Sequence, residues 1–318
     1  MSVVPEPSAS IPAAGALIPI ATPRVVRWGQ GPLSFELRSH DDKIVSRVAT
    51  IVGSWPPRRD ARLARRWRVE PVESSAGERL WEGWVAGADD ETETRVGQAV
   101  PAALMQAVEF DGVRELLQCR EQILGLHSAL VSRRSAAGER GVALIGPCLS
   151  GKSTFSCSLW NSGWSFLGDD VTLFDDGGWA YSAPRRAWMR NSSQALVGET
   201  LWARATAAPS SDRTASSLLF HPHEVDGQSR PHHTRLGAIV FLSRYNARPE
   251  PARLTRLASV DGAIALLPYS NLRNVTFATA LSRMAPLAET VPIYDLGRGP
   301  IDAMITALNR LIDSSATS

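Results

Sequence analysis

One stretch, Gly141 to Asp170, constrains this chain more than any other: GVALIGPCLSGKSTFSCSLWNSGWSFLGDD. It reads as an apolar strand, a glycine loop, an amphipathic helix, a second strand and a pair of aspartates. Gly146, Gly151, Lys152 and Ser153 fit the G-x-x-x-x-G-K-[ST] pattern of a phosphate-binding loop. The flanks agree with the pattern. Val142 to Ile145 form a short apolar run suited to a buried strand. Phe155, Leu159 and Trp160 then follow at helical spacing, and Gly163 supplies a helix C-terminus. A plain glycine turn before a core helix does not explain Lys152, because a helix start disfavours a cation.

In such a loop, consecutive backbone N–H groups point at phosphate oxygens, and glycines let the chain come close. Lys152 then reaches the β- and γ-phosphates, and Ser153 offers its hydroxyl to Mg²⁺. Asp169 and Asp170 follow 17 and 18 positions after Lys152. The intervening helix and turn predict a strand returning beside the phosphate-loop strand, with the aspartates at its C-terminal end, where open α/β sheets bind ligands. One carboxylate can hold Mg²⁺ and the other can accept a proton from an attacking hydroxyl. An acidic strand-to-turn junction is the plainer reading of the pair. His127, inside LGLHSALVS, is a core histidine when read alone.

At 318 residues the chain can hold two domains. Its 34 basic and 32 acidic residues leave a net charge of +2, which gives no global attraction to nucleic acid. No apolar run approaches the roughly 20 residues that cross a bilayer, so no membrane partner is expected. Cys119, Cys148 and Cys157 form an odd set without metal-ligand spacing and fit a reducing compartment. The N-terminal stretch lacks a basic segment before its apolar part, which argues against a secretory signal and for a cytoplasmic protein.

Residues 1–24 read as a flexible leader, 25–110 as a small α+β domain and 111–318 as a P-loop domain. In the first domain, strands are predicted at 24–28, 33–38, 67–72, 80–85 and 94–100. Helices are predicted at 41–54 and from Pro101 to about Cys119. The run RRDARLARRWR, Arg58 to Arg68, reads as a solvated face rather than an anion site. In the second, Ile123 to Ser132 reads as one strand, Leu236 to Leu242 as a buried strand, and 259–267, 274–289 and 300–312 as helices. Ser259 is the expected N-cap. Residues 191–235 lack periodicity and read in part as a mobile loop of the kind that forms lids. His221, His223, His232 and His233 within it read as solvated rather than as a metal site.

The combination LHSALVSRR and GERGVALIGPCLSGKSTFSCSLWNSGWSFLGDDVTLF resembles the catalytic domain of HPr serine kinase/phosphorylase. It is closer to the HPr-kinase-related kinases outside that regulatory role. The close resemblance spans about residues 126–174, and a looser one runs through SAPRRAWMR, LGAIVFL and ETVPIYDLG. It implies an α/β P-loop kinase domain of HPr-kinase/phosphoenolpyruvate-carboxykinase type behind the small N-terminal domain. It implies ATP and Mg²⁺ as cofactors, with Gly146, Pro147, Cys148, Leu149, Ser150, Gly151, Lys152, Ser153 and Thr154 around the phosphates. Lys152 would stabilise the transferring group, Ser153 and Asp170 would help hold Mg²⁺, Asp169 would be the favoured base with the division between the two aspartates left open, and His127 would act near the acceptor or the γ-phosphate. The implied acceptor is a serine hydroxyl on a peptide or small protein, such as a ribosomal peptide precursor. A homo-oligomer is left open. An ATP-binding regulatory module without phosphotransfer is the alternative, and a nucleic-acid-associated NTPase is a further one. The chain departs from the family at Pro147-Cys148 and at Pro184-Arg185-Arg186, where true HPr kinases carry a Glu-Arg-Gly signature. Arg185, Arg186 and Arg273 are candidates for phosphate or substrate contact, although each read singly is a surface arginine.

Overall fold

The computed structural model describes residues 22–314 except 31–32, 53–58, 74–78, 88, 91, 100, 120–122, 137, 149, 176, 184, 227–232, 243–251 and 273. The expected leader therefore lies almost wholly outside the described residues. The first unit opens with a hairpin, β1 (Arg24–Gln30) against β2 (Leu33–Ser39). Helix α1 (Asp42–Val52) follows, with Ile44, Val48, Ile51 and Val52 buried at helical spacing. Asp41 caps it by accepting from the Lys43 N–H at 2.8 Å. Strands β3 (Arg62–Glu73), β4 (Arg79–Gly87) and β5 (Thr94–Ala99) complete a five-stranded sheet in the order β1-β2-β3-β4-β5. Helix α2 (Pro101–Gln118) packs on this sheet, and Trp28 stacks on Trp67 at its centre.

The basic run is a solvated face only at its start: Arg59 and Arg62 are exposed, Arg58 lies outside the described residues, and the later arginines are paired. Arg65 pairs with Glu115 at 2.7 Å and Arg66 with Glu36 at 3.5 Å. Arg68 pairs with Glu93 at 2.7 Å and lies over Trp84. The alternation of β3 points these arginines at acids on β2, α2 and the chain before β5, which sequence distance hides.

The second unit continues with β6 (Leu124–Leu126), β7 (Ser128–Ser135), β8 (Gly138–Ile145), α3 (Lys152–Asn161), β9 (Ser165–Gly168), β10 (Thr172–Phe174) and β11 (Trp179–Ser182). Next come β12 (Ala187–Arg190), α4 (Gln194–Val197), α5 (Glu199–Ala207), β13 (Asp212–Arg213), β14 (Ser217–Phe220) and α6 (Pro222–Asp226). The chain closes with β15 (His233–Leu242), β16 (Leu254–Arg256), α7 (Ser259–Leu266), α8 (Phe277–Thr290), β17 (Ile293–Leu296) and α9 (Ile301–Ser314). The main sheet runs β6-β10-β11-β15-β8-β7-β9, with β17 beside β15 and β16 beside β17. Its centre is a parallel trio, β8, β15 and β17. Alternate residues of these strands face opposite layers. Val142, Leu144, Val240 and Leu242 pack toward α3 and α9, whereas Ala143, Ile145 and Ile239 pack toward α7 and α8. The architecture is mixed α/β with several sheets, and a third small sheet has the order β12-β14-β13.

Several expectations shift. The predicted strand at 123–132 is two strands broken at His127. The returning strand β9 pairs with β7, not with the phosphate-loop strand β8. Residues 191–226 are folded, with Val197, Trp202, Ala205, Phe220 and Val225 in the core. Short elements of mixed composition bury these side chains through tertiary contact, so periodicity gave no sign of them. His221 is buried within this region, His233 lies against Trp179 and Tyr181, and His232 is outside the described residues. The α7 N-cap is Ala258 rather than Ser259, and Thr276 caps α8. The expected boundary near residue 110 falls inside α2, which is continuous. Among the described residues no helix is long and apolar enough to cross a membrane.

Candidate active site

Because β8, β15 and β17 are parallel, their C-terminal ends share one edge of the sheet. Strand β9 is antiparallel to β7, which is antiparallel to β8, so β9 ends at the same edge. Three segments meet there: the loop 146–151 after β8, Asp169-Asp170 after β9, and Arg298 after β17.

The loop carries the marks of a phosphate cradle. A Cβ on Gly146 would stand 2.6 Å from Ser150 Oγ and 2.8 Å from the Leu242 carbonyl oxygen, so only glycine fits. Gly151 is the N-cap of α3 with φ of 89°, a left-handed conformation that glycine adopts freely. Ser150 Oγ is buried without a hydrogen-bond partner among the described residues. Lys152 Nζ folds back to donate to the carbonyls of Gly146 at 2.9 Å and Pro147 at 3.3 Å. Burial lowers its pKa, opposed by Asp169, Cys148 and Asp170. Cys148 is exposed. Leu149 lies outside the described residues.

Ser153 Oγ donates to Asp169 Oδ2 at 2.9 Å, and the Asp170 N–H donates to Asp169 Oδ1 at 2.9 Å. Burial raises the pKa of Asp169, and the Ser153 hydrogen bond opposes that rise. Ser153 thus meets Asp169, whereas the family resemblance pairs it with Asp170 as metal ligand.

Asp170 has φ of 71°, the one non-glycine residue in the left-handed region among the described residues. In that conformation its carboxylate meets partners different from those of Asp169. His127 Nδ1 lies 3.0 Å from Asp170 Oδ1 and 2.9 Å from Asp170 O. Both partners are acceptors, so Nδ1 carries the proton. Arg185 Nη1 reaches Asp170 Oδ2 at 2.6 Å. The His127 hydrogen bond and the Arg185 charge hold the Asp170 carboxyl down at about 2. The break between β6 and β7 aims the His127 ring, and the His127 N–H donates to Tyr269 O at 2.7 Å.

Arg185 and Arg186 are not surface arginines. Arg185 is 8% exposed and its guanidinium lies over Phe110. Arg186 is 1% exposed and pairs with Glu109 at 2.8 Å and with Asp212. Arg273 lies outside the described residues.

A cavity of about 540 Å³ gathers His127, Cys148, Gly151, Lys152, Ser153, Thr154, Asp169 and Asp170 with Phe110, Arg185, Trp188, Arg190, Ser193 and Arg298. Phe110, Trp188 and Arg298 carry no motif. A signal for Arg298 exists in hindsight: it follows a short apolar strand and is flanked by Gly297 and Gly299. A second cavity of about 580 Å³ lies on the α2 side and shares Phe110, His127, Asp170 and Arg185 with the first.

Among the described residues no three His, Cys, Asp or Glu side chains gather as a metal site. Mg²⁺ in nucleotide sites is held through one or two carboxylates and substrate phosphates rather than by a protein cage. The tight glycines, the unpaired Ser150 hydroxyl and the Ser153–Asp169 pair fit a Mg-nucleotide. No protein-family model matches the chain, and neither does any curated protein sequence.

Proposed function

We propose that this chain is an ATP-dependent kinase of HPr-kinase/phosphoenolpyruvate-carboxykinase type. It transfers the γ-phosphate to a hydroxyl, a serine by the resemblance, of a peptide or small protein such as a ribosomal peptide precursor. The observation that carries the reading is the hydrogen-bonded chain Ser153–Asp169–Asp170–His127 at the start of α3, beside Lys152. A module that only binds a Mg-nucleotide uses the loop, the lysine and one carboxylate for the metal, but has no use for a second carboxylate with a histidine aimed at it.

Bound Mg²⁺ supplies positive charge to the phosphates. Ser153 and Asp169 are suited to hold it, since phosphate-loop enzymes pair the hydroxyl after the lysine with an acid. This exchanges the roles that the family implies for the two aspartates. Asp170 stands with His127 and Arg185 in the wall between the two cavities, where an acceptor meets it first. The acceptor oxygen bonds to the γ-phosphorus while the β–γ bridge oxygen bond breaks, the hydroxyl proton passes to Asp170, and ADP leaves. A carboxylate of low pKa serves here because the transition state is loose, and orienting the hydroxyl matters more than basicity.

Incubation with γ-labelled ATP, Mg²⁺ and a library of serine peptides and small proteins tests this. Wild type is expected to label a serine. Lys152→Ala and Asp170→Asn are expected to cut kcat/KM at least ~100-fold. Asp169→Asn is expected to raise the Mg²⁺ concentration needed for half-maximal rate. Mg-ATP binding with no labelled product across the library favours the regulatory module. Exchanged phenotypes of the two aspartate variants restore the family's division of roles.

A further inference from the structure

We propose that Arg298 is a second phosphate-binding cation of the nucleotide site, acting at the end of the loop that Lys152 does not reach. The inference rests on the nucleotide site proposed above and adds a residue that neither the motif nor the resemblance assigns.

Four observations carry it. Arg298 sits two residues past β17, and β17 is parallel to β15, which is parallel to β8, so the arginine and the phosphate loop leave the sheet at one edge. Its Nη1 donates to the Ser150 carbonyl at 3.3 Å. Its Nη2 lies 3.4 Å from where a Cβ on Gly151 would stand, so the guanidinium lies along the loop where it turns into α3. Finally, it lines the same cavity as Lys152, Ser153 and Thr154.

Lys152 and Arg298 therefore grip the two ends of the loop. Lys152 holds the Gly146 and Pro147 carbonyls, and Arg298 holds the Ser150 carbonyl. Of the other arginines of the cavity, Arg185 pairs with Asp170 at 2.6 Å, and Arg190 has no hydrogen bond to the loop among those found in the described residues. A guanidinium presents its donors in a planar fork, a geometry that matches two oxygens of a phosphate chain. Gly297 donates its N–H to the Arg253 carbonyl at 3.0 Å, which pins the segment that presents Arg298. A triphosphate arriving at the α3 N-terminus then meets one cation from within the loop and one from a strand far along the chain.

Calorimetric titration of Mg-ATP and of Mg-pyrophosphate into full-length wild type, Arg298→Ala, Arg298→Gln and Arg298→Lys tests this, with thermal melts as a folding control. Arg298→Ala and Arg298→Gln are expected to weaken both ligands roughly 10- to 100-fold, the effect of losing hydrogen bonds to a charged group. Arg298→Lys keeps the charge and is expected to stay within about tenfold of wild type. Full affinity in Arg298→Ala overturns the proposal. So does full affinity in Arg298→Gln with loss in Arg298→Ala, since glutamine can still brace the Ser150 carbonyl without charge. Weakened ATP with unchanged pyrophosphate also overturns it, by moving the contact to the nucleoside. Lys152→Ala separates the two readings. Loss of binding there with intact Arg298 variants sinks Arg298 alone. A wild type that binds neither ligand sinks the nucleotide site and this proposal together.

Discussion

Asp170 shows how much a single backbone torsion sets up. Its φ of 71° costs an L-residue about 1 kcal/mol or more, yet it turns one carboxylate toward His127 and Arg185 while its neighbour faces Ser153. Replacing the side chain separates the strain from the chemistry. Asp170→Gly and Asp170→Ala lose the same ion pairs, but glycine relieves the left-handed strain of about 1–2 kcal/mol. Its looser unfolded chain returns about 0.4–1 kcal/mol of that gain. Asp170→Gly is therefore expected to be about 0.5–1 kcal/mol more stable than Asp170→Ala in urea denaturation, with both inactive. Equal stability would place the strain elsewhere. At this scale the sequence was legible where chemistry is local. Gly146, Gly151, Lys152, Ser153 and the aspartate pair lie within one strand–loop–helix–strand run. Arg298, Phe110 and Trp188 were not legible, because strand pairing and the packing of α2 bring them to the cavity. The paired state of Arg185 and Arg186 was hidden for the same reason.

Elements show the same split. Helices α1, α2, α3, α8 and α9 follow apolar spacing that a reader can count, and the central strands are apolar runs. What counting cannot show is which strands pair. The run 123–132 reads as one strand, but β6 joins β10 and β7 joins β8, and the step between them at His127 aims the imidazole. Arg186 ties these layers together. It carries both nitrogens of one edge to Glu109 on α2 and bonds Asp212 of β13, with no side-chain exposure. Removing one partner of a buried pair costs about 3–5 kcal/mol because the other charge stays buried. Arg186→Met is expected to lose that much in urea denaturation. The double variant Arg186→Met with Glu109→Leu is expected to recover most of it, since the buried Glu109 charge goes too and the partly exposed Asp212 keeps Arg47 at 2.8 Å. A double variant as unstable as the single one would mean that packing around the guanidinium, not its charge, holds α2 in place.

At the scale of the whole molecule, the first unit is joined to the second by shared core and by charge. Leu173 of β10 packs into the cluster that holds Trp28, Phe35, Ile44 and Trp67. Arg47 of α1 donates to the carbonyls of Ser210 at 3.0 Å and Ser211 at 2.8 Å and to Asp212 at 2.8 Å. Asp212 thereby accepts from α1 and from Arg186 at once. The expected boundary near residue 110 falls within one continuous helix, whose last turns bury Val113 and Leu116. A fragment of residues 111–318 would cut α2, strip Glu109 from Arg186 and remove Phe110 from the wall beside Asp170. The loss of one buried partner alone, about 3–5 kcal/mol, removes a large part of the roughly 5–15 kcal/mol stability of an ordinary domain. That fragment is expected to lack a cooperative thermal transition and to bind no Mg-ATP. The full chain is expected to unfold in one calorimetric transition, because its units share a core and a buried ion-pair network. Two separate transitions, or a fragment that melts cooperatively and binds nucleotide, would show the second unit folding on its own and reduce the first to an attachment.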